Sequence, residues 1–539
     1  MLPLNINNTS SMKRSILLLV ALLASAQLVR AQIPADAFTL SHHFPSGSAR
    51  YSAMGGSMGA FGGDPSAMFT NPAGLGLYRG TEFSITPGLQ LNQTKTSFGR
   101  SSTDNRTSFL LGNLAYVGTL DDLGGAGALK SLTFGFGYNT LSEFGSNTLF
   151  RATGMESSLL DMWAGTSSNW VNPDPKYHDP SLENPPYYNP DELLGQSVYS
   201  YLAYNQGLIG LDNADPAIFD RPEGYYSVAE LTGYGQSLNR KLEQRGRVGE
   251  WSFSMAGNID DQFYFGLTLG VQDIEYKEWM VHRETGGPGS ELDFFDYMQD
   301  FKMTGYGVNL KLGAIYRPTE MIRLGLAYHT PTWMSLSQEY QPGVYSHWLT
   351  LDSEGHNEYE QWDELAVYDF KARTPGRWIA STAVQFGPFG MLNVDYERID
   401  YSNMKFRTDR SSNLDDDAYF DAVNRDIDDT YRAVNNLRVG AEVKTGLVSW
   451  RGGYGIYGNP YRVGTVNRDA SYFTVSGGVG FRLNNFYADL GYTHLVRNES
   501  YSLYDAPTIY TNGSADYTPV VSKWDTSNGR LLLTLGFRL

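Results

Sequence analysis

The amino-acid sequence predicts an all-β fold: an antiparallel transmembrane β-barrel of about fourteen strands, with its N-terminal residues folded inside as a plug and with long extracellular loops. Three observations predict it. An alternation of apolar with small or polar residues at period two recurs about fourteen times. Tight turns alternate along the chain with long polar connections. The N-terminus reads as a secretory leader, and no later stretch reaches the ~18 consecutive apolar residues of a helical span.

The leader comes first. Lys13 and Arg14 precede an apolar run over 16–26, and the small residues ending at Ala26 or Ala31 suit cleavage. Residues 1–31 are therefore read as a signal peptide, with Met12 as a possible start. Residues 32–81 are too rich in glycine and small side chains to build a core of their own, but they could fill a barrel. Residues 82–539 carry the strands, centred near 82–92, 107–117, 131–142, 248–257, 262–274, 304–316, 321–331, 376–387, 390–400, 434–444, 447–456, 471–481, 485–497 and 529–539. Turns such as Arg317-Pro318-Thr319-Glu320 and Thr445-Gly446 alternate with loops expected at 143–247, 275–303, 332–375, 401–433, 457–470 and 498–528. The connection at 118–130 is longer than this pattern asks. The insertion at 143–247 is the longest and holds helix-like pieces at 156–164 and 191–204.

Each strand shows two faces. Leu531, Leu533, Leu535 and Phe537 alternate with Leu532, Thr534, Gly536 and Arg538; Phe263, Phe265, Leu267 and Leu269 alternate with Tyr264, Gly266, Thr268 and Gly270. In a barrel the apolar face meets lipid, and closure pairs every backbone N–H and C=O where no water can. Lys311, Arg323, Asp395, Arg438, Glu442 and Asp489 then point into the lumen, where Gly266, Gly270, Gly307, Gly313, Gly325, Gly440 and Gly491 leave room for a filling.

Composition narrows the function. A net charge of −17 with no clustered Lys/Arg argues against nucleic acid, and the 37 tyrosines suit aromatic girdles. The absence of cysteine excludes disulfides, thiolate metal sites and cysteine nucleophiles. Gly55, Ser57 and Gly59 make a formal G-x-S-x-G, but no strand precedes it and nothing sets a histidine beside Ser57; the chain is not expected to be an enzyme. The acidic run Asp415, Asp416, Asp417, Asp421, Asp426, Asp428 and Asp429 lacks the order of a calcium loop and is read as a solvated loop face. His42 and His43 raise haem uptake as a rival function, although neighbours in an extended chain point opposite ways. No cofactor and no resident metal are expected. Lys311, Arg323 and Arg438 are candidates to hold a ligand carboxylate in the lumen, with salt bridges to Asp395, Glu397 and Glu442 as the plainer use.

Ser48-Ala49-Arg50-Tyr51-Ser52-Ala53-Met54-Gly55-Gly56, then Asp64-Pro65-Ser66-Ala67 and Asn71-Pro72-Ala73-Gly74, resemble the N-terminal hatch of the long-chain fatty-acid transporter (FadL) family, in its Bacteroidetes form. Tyr316-Arg317-Pro318-Thr319 and the run from Leu324 to Pro331 resemble that family's sixth-to-seventh strand turn. The resemblance covers residue 46 to the C-terminus. It implies passive uptake of long-chain fatty acids or other lipophilic compounds across the bacterial outer membrane by a monomer surrounded by outer-membrane lipid and lipopolysaccharide. It further implies gating by hatch residues, here Gly55, Gly56, Asn71, Pro72, Ala73 and Gly74. Ligand would be captured near 275–303 and 332–375 and would leave sideways at a kinked third strand, where Gly135 and Gly137 would permit the kink. A non-transporting carrier on the same scaffold, docking a surface or export protein through 143–247, is the alternative.

Overall fold

Fourteen strands close into one antiparallel ring. The computed structural model describes residues 34–121, 128–168, 198–211, 225–409, 417–511 and 514–539; the signal peptide expected at 1–31, residues 122–127 of the connection at 118–130, residues 169–197 and 212–224 of the insertion (with 191–197 of the helix-like piece at 191–204), Asp415 and Asp416 lie outside them. The ring runs β1 Glu82–Phe98, β2 Arg100–Asp121, β3 Leu129–Glu143, β4 Ser237–Ile259, β5 Phe263–Thr285, β6 Leu292–Tyr316, β7 Ile322–His329, β8 Arg377–Gln385, β9 Gly390–Asp400, β10 Ala433–Thr445, β11 Val448–Tyr457, β12 Ser471–Leu483, β13 Phe486–Thr511 and β14 Ser514–Arg538. Each strand pairs with the next, and β14 returns to β1 with Arg538 opposite Glu82, so no edge is left open there. All fourteen expected strands are present.

The two faces separate as the alternation requires. Phe263, Phe265, Leu267 and Leu269 of β5 and Leu531, Leu533 and Phe537 of β14 are exposed on the outside. Thr268, Lys311, Asp395, Arg438, Glu442, Asp489 and Thr534 are buried inside. An apolar exterior around a polar interior is the inverse of a water-soluble core, and it is the exterior of an outer-membrane barrel. The turns at 260–262, 317–321, 386–389, 446–447 and 484–485 lie at the same end of the ring as Glu82 and Arg538, the periplasmic end of a barrel of this kind.

The extracellular side differs from expectation. Residues 275–303 and 498–528 are not loops. β5 and β6 continue to Thr285 and from Leu292, and β13 and β14 to Thr511 and from Ser514. Above the bilayer a strand needs no apolar outer face, so these extensions lack the alternation that marked the membrane portions. Residues 332–375 likewise form a sheet, Trp333–Trp348 pairing with β6 and with Ala366–Arg373. The acidic segment holds a helix: Asp417–Thr430 buries Tyr419, Phe420, Val423 and Ile427 and turns its aspartates outward. That spacing of one helical face was hidden by the density of charge.

The third strand breaks. β3 pairs with β2 from Asp121↔Ser131 up to Asn113↔Asn139, shifts register against β4 between Thr140 and Ser142, and ends at Glu143. The chain resumes as Ser146–Thr153 on the edge of β4. There it crosses the inner face of β1, whose inward side chains Gln90, Asn92, Thr94 and Thr96 donate to the carbonyls of Glu143, Gly145, Asn147 and Leu149. Residues 100–111 of β2 consequently pair only with β1. The break lies beyond Gly135 and Gly137, which sit in regular ladder. Their missing side chains make room for the plug, since a Cβ at Gly135 would stand 2.8 Å from Met68 Sδ and one at Gly137 2.9 Å from Met68 Cε.

Candidate functional site

The N-terminal residues enter the barrel as helix Pro34–Ser41, helix Ala49–Ala53 and two 3-10 turns, Pro65–Phe69 and Pro72–Leu77. Local chemistry sets each start. Ser48, Asp64 and Asn71 cap by accepting from the N–H groups of Tyr51, Ser66 and Ala73, and Pro65 and Pro72 supply the fixed φ of a first position.

From Ala49 to Ala73 the segment lies against a wall shaped for it. A Cβ would stand 2.4 Å from the Ala49 carbonyl at Gly491, 2.4 Å from the Met54 carbonyl at Gly440, 2.7 Å from the Gly59 carbonyl at Gly325, and 2.1 Å from Asn71 Oδ1 at Gly313. The lumenal glycines are therefore a lane along which plug backbone and strand backbone touch. Polar contacts fasten it. Arg50 makes two hydrogen bonds to Glu442, at 2.9 and 3.0 Å, and Glu442 also accepts from Arg451, which reaches Asp489 at 2.6 Å. The Met58 and Gly59 N–H groups donate to Asp395 at 3.2 Å. Arg323 donates to the Phe61 carbonyl at 2.7 Å.

The hatch residues singled out in the sequence come together here. The Asn71 side chain donates to the carbonyls of Gly59, at 2.7 Å, and Ala314, and accepts from Ala73 N–H at 3.2 Å. Gly74 accepts from Gly63 N–H at 3.1 Å, and Ala73 is fully buried. Gly55 and Gly56 turn with φ of 65° and 70°, a region that favours glycine. Ser57, the centre of the formal G-x-S-x-G, is fully buried, donates toward the carbonyls of Asn393 and Arg438 and accepts from the Asn393 amide. It is a structural hydroxyl.

Above the plug lies a cavity of about 740 Å³. Its floor is the N-terminal helix with His42, Phe44 and Pro45, and its side reaches Leu141–Phe144 and Ser146, where the third strand leaves the wall. One flank is aromatic, with Phe38, Tyr276, Phe301, Tyr340 and Tyr461; the other, from β1, β13 and β14, is polar, with Gln90, Asn92, Thr526, Asn528 and Arg530. The roof comes from the described residues of the long insertion, through Tyr199. Helices Leu159–Ser168 and Val198–Asn205 pack between the extracellular ends of the strands, burying Leu159, Leu160, Trp163, Val198 and Leu202 against Leu242, Met280, Phe295 and Tyr504. A chain of hydroxyls, Tyr199 to Tyr340 at 2.6 Å and Tyr340 to Tyr297 at 3.0 Å, ties roof to wall.

The three lumenal cations read from the sequence do not line this cavity. Lys311 bonds Glu250, Arg438 lies 3.3 Å from Glu397, and Arg323 holds plug backbone. The cations that do line it are Arg497, paired with Glu499 at 2.7 Å, and Arg530, bonded to Gln90 at 3.1 Å. Both carry the inward parity of their strands, Arg530 that of Thr534 and Arg497 that of Asp489, so the alternation that pointed to Arg438 could also have found them; Arg497 is the last residue of its expected strand. His42 packs among the rings of Phe38, Phe44, Tyr401 and Tyr472, whereas His43 bonds Ser142 at 2.7 Å. The two imidazoles thus have separate partners.

No family model and no curated protein matches the chain. Among solved structures, a FadL homologue from Pseudomonas aeruginosa aligns over 92% of this chain and 99% of its own, at 13% identity and a TM-score of 0.53. The toluene transporter TbuX of Ralstonia pickettii aligns over 92% and 99%, at 16% identity and a TM-score of 0.48. The chain thus shares the fold of a FadL homologue, as a fourteen-stranded barrel that its own N-terminal segment plugs.

Proposed function

We propose that the protein is an outer-membrane channel for passive uptake of lipophilic small molecules. The observation that carries this reading is the cavity, with one aromatic flank, a roof, and a side that meets the wall where the third strand turns inward. A molecule that sheds water into such a chamber gains from apolar burial and can pass on into the bilayer without crossing a polar layer. On this reading the plug body from Ala49 to Ala73 stays seated, and the gating part of the hatch is the arm formed by Pro34–Ser41 and His42 to Pro45, which forms the floor and is held mainly by ring contacts. Exit is sideways past β2, not downward. The solved structure whose fold the chain shares is that of a FadL homologue.

The test is uptake of a fluorescent long-chain fatty acid and of toluene by cells that display the barrel. Asn528→Trp, which fills the cavity from β14, is expected to lower uptake of at least one of them by about tenfold at equal surface abundance. Unchanged uptake of both would overturn the reading. Mass spectrometry of lipids retained by the gently purified protein would identify the ligand class.

A further inference from the structure

On the extracellular side the sheet begun by β6 continues through Trp333–Trp348, Ala366–Arg373 and the short strand Lys405–Thr408. Its inner face buries Met334, Leu336, Phe370, Ala372 and Phe406. The intervening residues stand on the outer face. Four of them are cations in adjacent positions, with Arg373 opposite Lys405 and Lys371 opposite Arg407. Lys371, Lys405 and Arg407 are exposed and Arg373 is partly so.

Like charges directly opposite one another destabilise a strand pair, and here two such pairs are stacked on a chain whose net charge is −17. Among the described residues, one carboxylate makes a salt bridge to the four: Asp409, 3.3 Å from Lys371. Arg373 donates one N–H to the Asn403 carbonyl at 3.2 Å. A second outer-face cation row offers a contrast. Arg245, Lys277 and Lys302 lie in register across β4, β5 and β6, but each has its own carboxylate, Glu243 at 2.9 Å, Glu275 at 2.7 Å and Glu339 at 2.7 Å. That row is neutralised within the protein, whereas among the described residues one carboxylate, Asp409, bridges to the quartet's four cations.

The quartet's height on the wall points to the kind of counter-charge that it meets. Trp333 is the cross-strand neighbour of Arg373, and Trp333, Trp378 and Tyr396 are all exposed on the outside of the wall. Exposed tryptophan and tyrosine at the end of an apolar belt mark the interface where headgroups begin. The geometry points to a binding face for the phosphate groups of an outer-leaflet glycolipid, formed by Lys371, Arg373, Lys405 and Arg407. The acyl chains of such a lipid would lie along the apolar wall below, and its phosphates would bridge the opposed cations through charge-assisted hydrogen bonds. A lipid is favoured over free phosphate because the quartet continues the lipid-facing surface.

The test uses the full-length barrel in detergent and native mass spectrometry, with bisphosphorylated lipid A as the probe. Lys371→Gln, Arg373→Gln, Lys405→Gln and Arg407→Gln together should weaken lipid A binding roughly a thousandfold, on the scale of lost headgroup attraction per cation. The triple variant Arg245→Gln, Lys277→Gln, Lys302→Gln should leave it unchanged. Heat-dependent gel migration confirms that both variants remain folded; if the quadruple variant does not, Lys405→Gln with Arg407→Gln, neither of which has a described partner, should still weaken binding. Equal binding by wild type and by the folded variants would overturn the site. So would equal binding of dephosphorylated lipid A, or displacement of lipid A by an equal concentration of inorganic phosphate, which would indicate an anion site unrelated to lipid.

Discussion

Two stoppers bound the same cavity, and they are fastened by different forces. The plug body below is held by ion pairs and by backbone laid on glycine: Arg50 on Glu442, Met58 and Gly59 on Asp395, Gly440 and Gly491 under its carbonyls. The roof above is held by burial of Trp163, Leu160, Leu202 and their neighbours, with a short chain of tyrosine hydroxyls at its edge. Charge-assisted bonds demand fixed geometry, whereas apolar contacts tolerate sliding. The difference places rigidity at the periplasmic side and adjustability at the extracellular side.

The comparison can be broken hardest at the ion pairs. Glu442→Ala leaves Arg50 and Arg451 buried without their shared carboxylate and should cost about 3–5 kcal/mol, releasing the plug while the roof stays folded. Limited proteolysis of the plug and of the insertion, read separately, checks it. The reciprocal change is Trp163→Ala, which is expected to remove about 3 kcal/mol from the roof and to expose the insertion to protease with the plug still protected. Next comes the glycine lane. Gly313→Ala forces a methyl onto Asn71 and should destabilise the plug by about 1–3 kcal/mol in thermal unfolding, whereas Gly452→Ala, with open space at its Cβ, should not. Asn71→Ala deletes three hydrogen bonds to plug and wall backbone and should cost about 1–3 kcal/mol in the same assay, leaving barrel assembly intact.

The smallest effect belongs to pH. In the roof, burial raises the Asp161 carboxyl to about 6 despite hydrogen bonds from Ser227 and the Ser158 N–H. A carboxyl that binds its proton more tightly folded than unfolded, where its pKa is about 3.9, stabilises the fold increasingly as pH falls from about 6 to about 4. The roof of the wild type is thus expected to gain protease resistance relative to that of Asp161→Asn between pH 7 and pH 5, a comparison that subtracts the opposite pull of the buried His282 imidazole, lowered to about 4.

Much of this architecture was legible in the sequence because the bilayer imposes it. Wherever a strand crosses lipid, one face must be apolar, and all fourteen crossings showed period two. The lumenal faces of Lys311, Asp395, Arg438 and Glu442 followed from the same alternation, and the plug followed from glycines that would otherwise leave a void. Outside the bilayer that constraint lapses, so the extensions of β5, β6, β13 and β14 read as loops. The cavity was less legible still. Its flanks come from those extensions, from the arm at 34–45 and from Tyr199 in the insertion, segments that meet only through the bend of the third strand. That bend arises from side chains of β1 replacing backbone partners, a relation between residues 53 positions apart that leaves no local mark.

The direct test of sideways passage over a seated plug is a reversible staple. The chain has no cysteine, and Ser57 and Asn393 touch at 2.8 Å between plug and β9. Ser57→Cys with Asn393→Cys, oxidised to a disulfide, fixes the plug body to the wall. Uptake of the fluorescent fatty acid by the cross-linked barrel should match that of its reduced form. Uptake that stops on oxidation and returns on reduction would contradict the sideways route and show that ligand leaves through the plug.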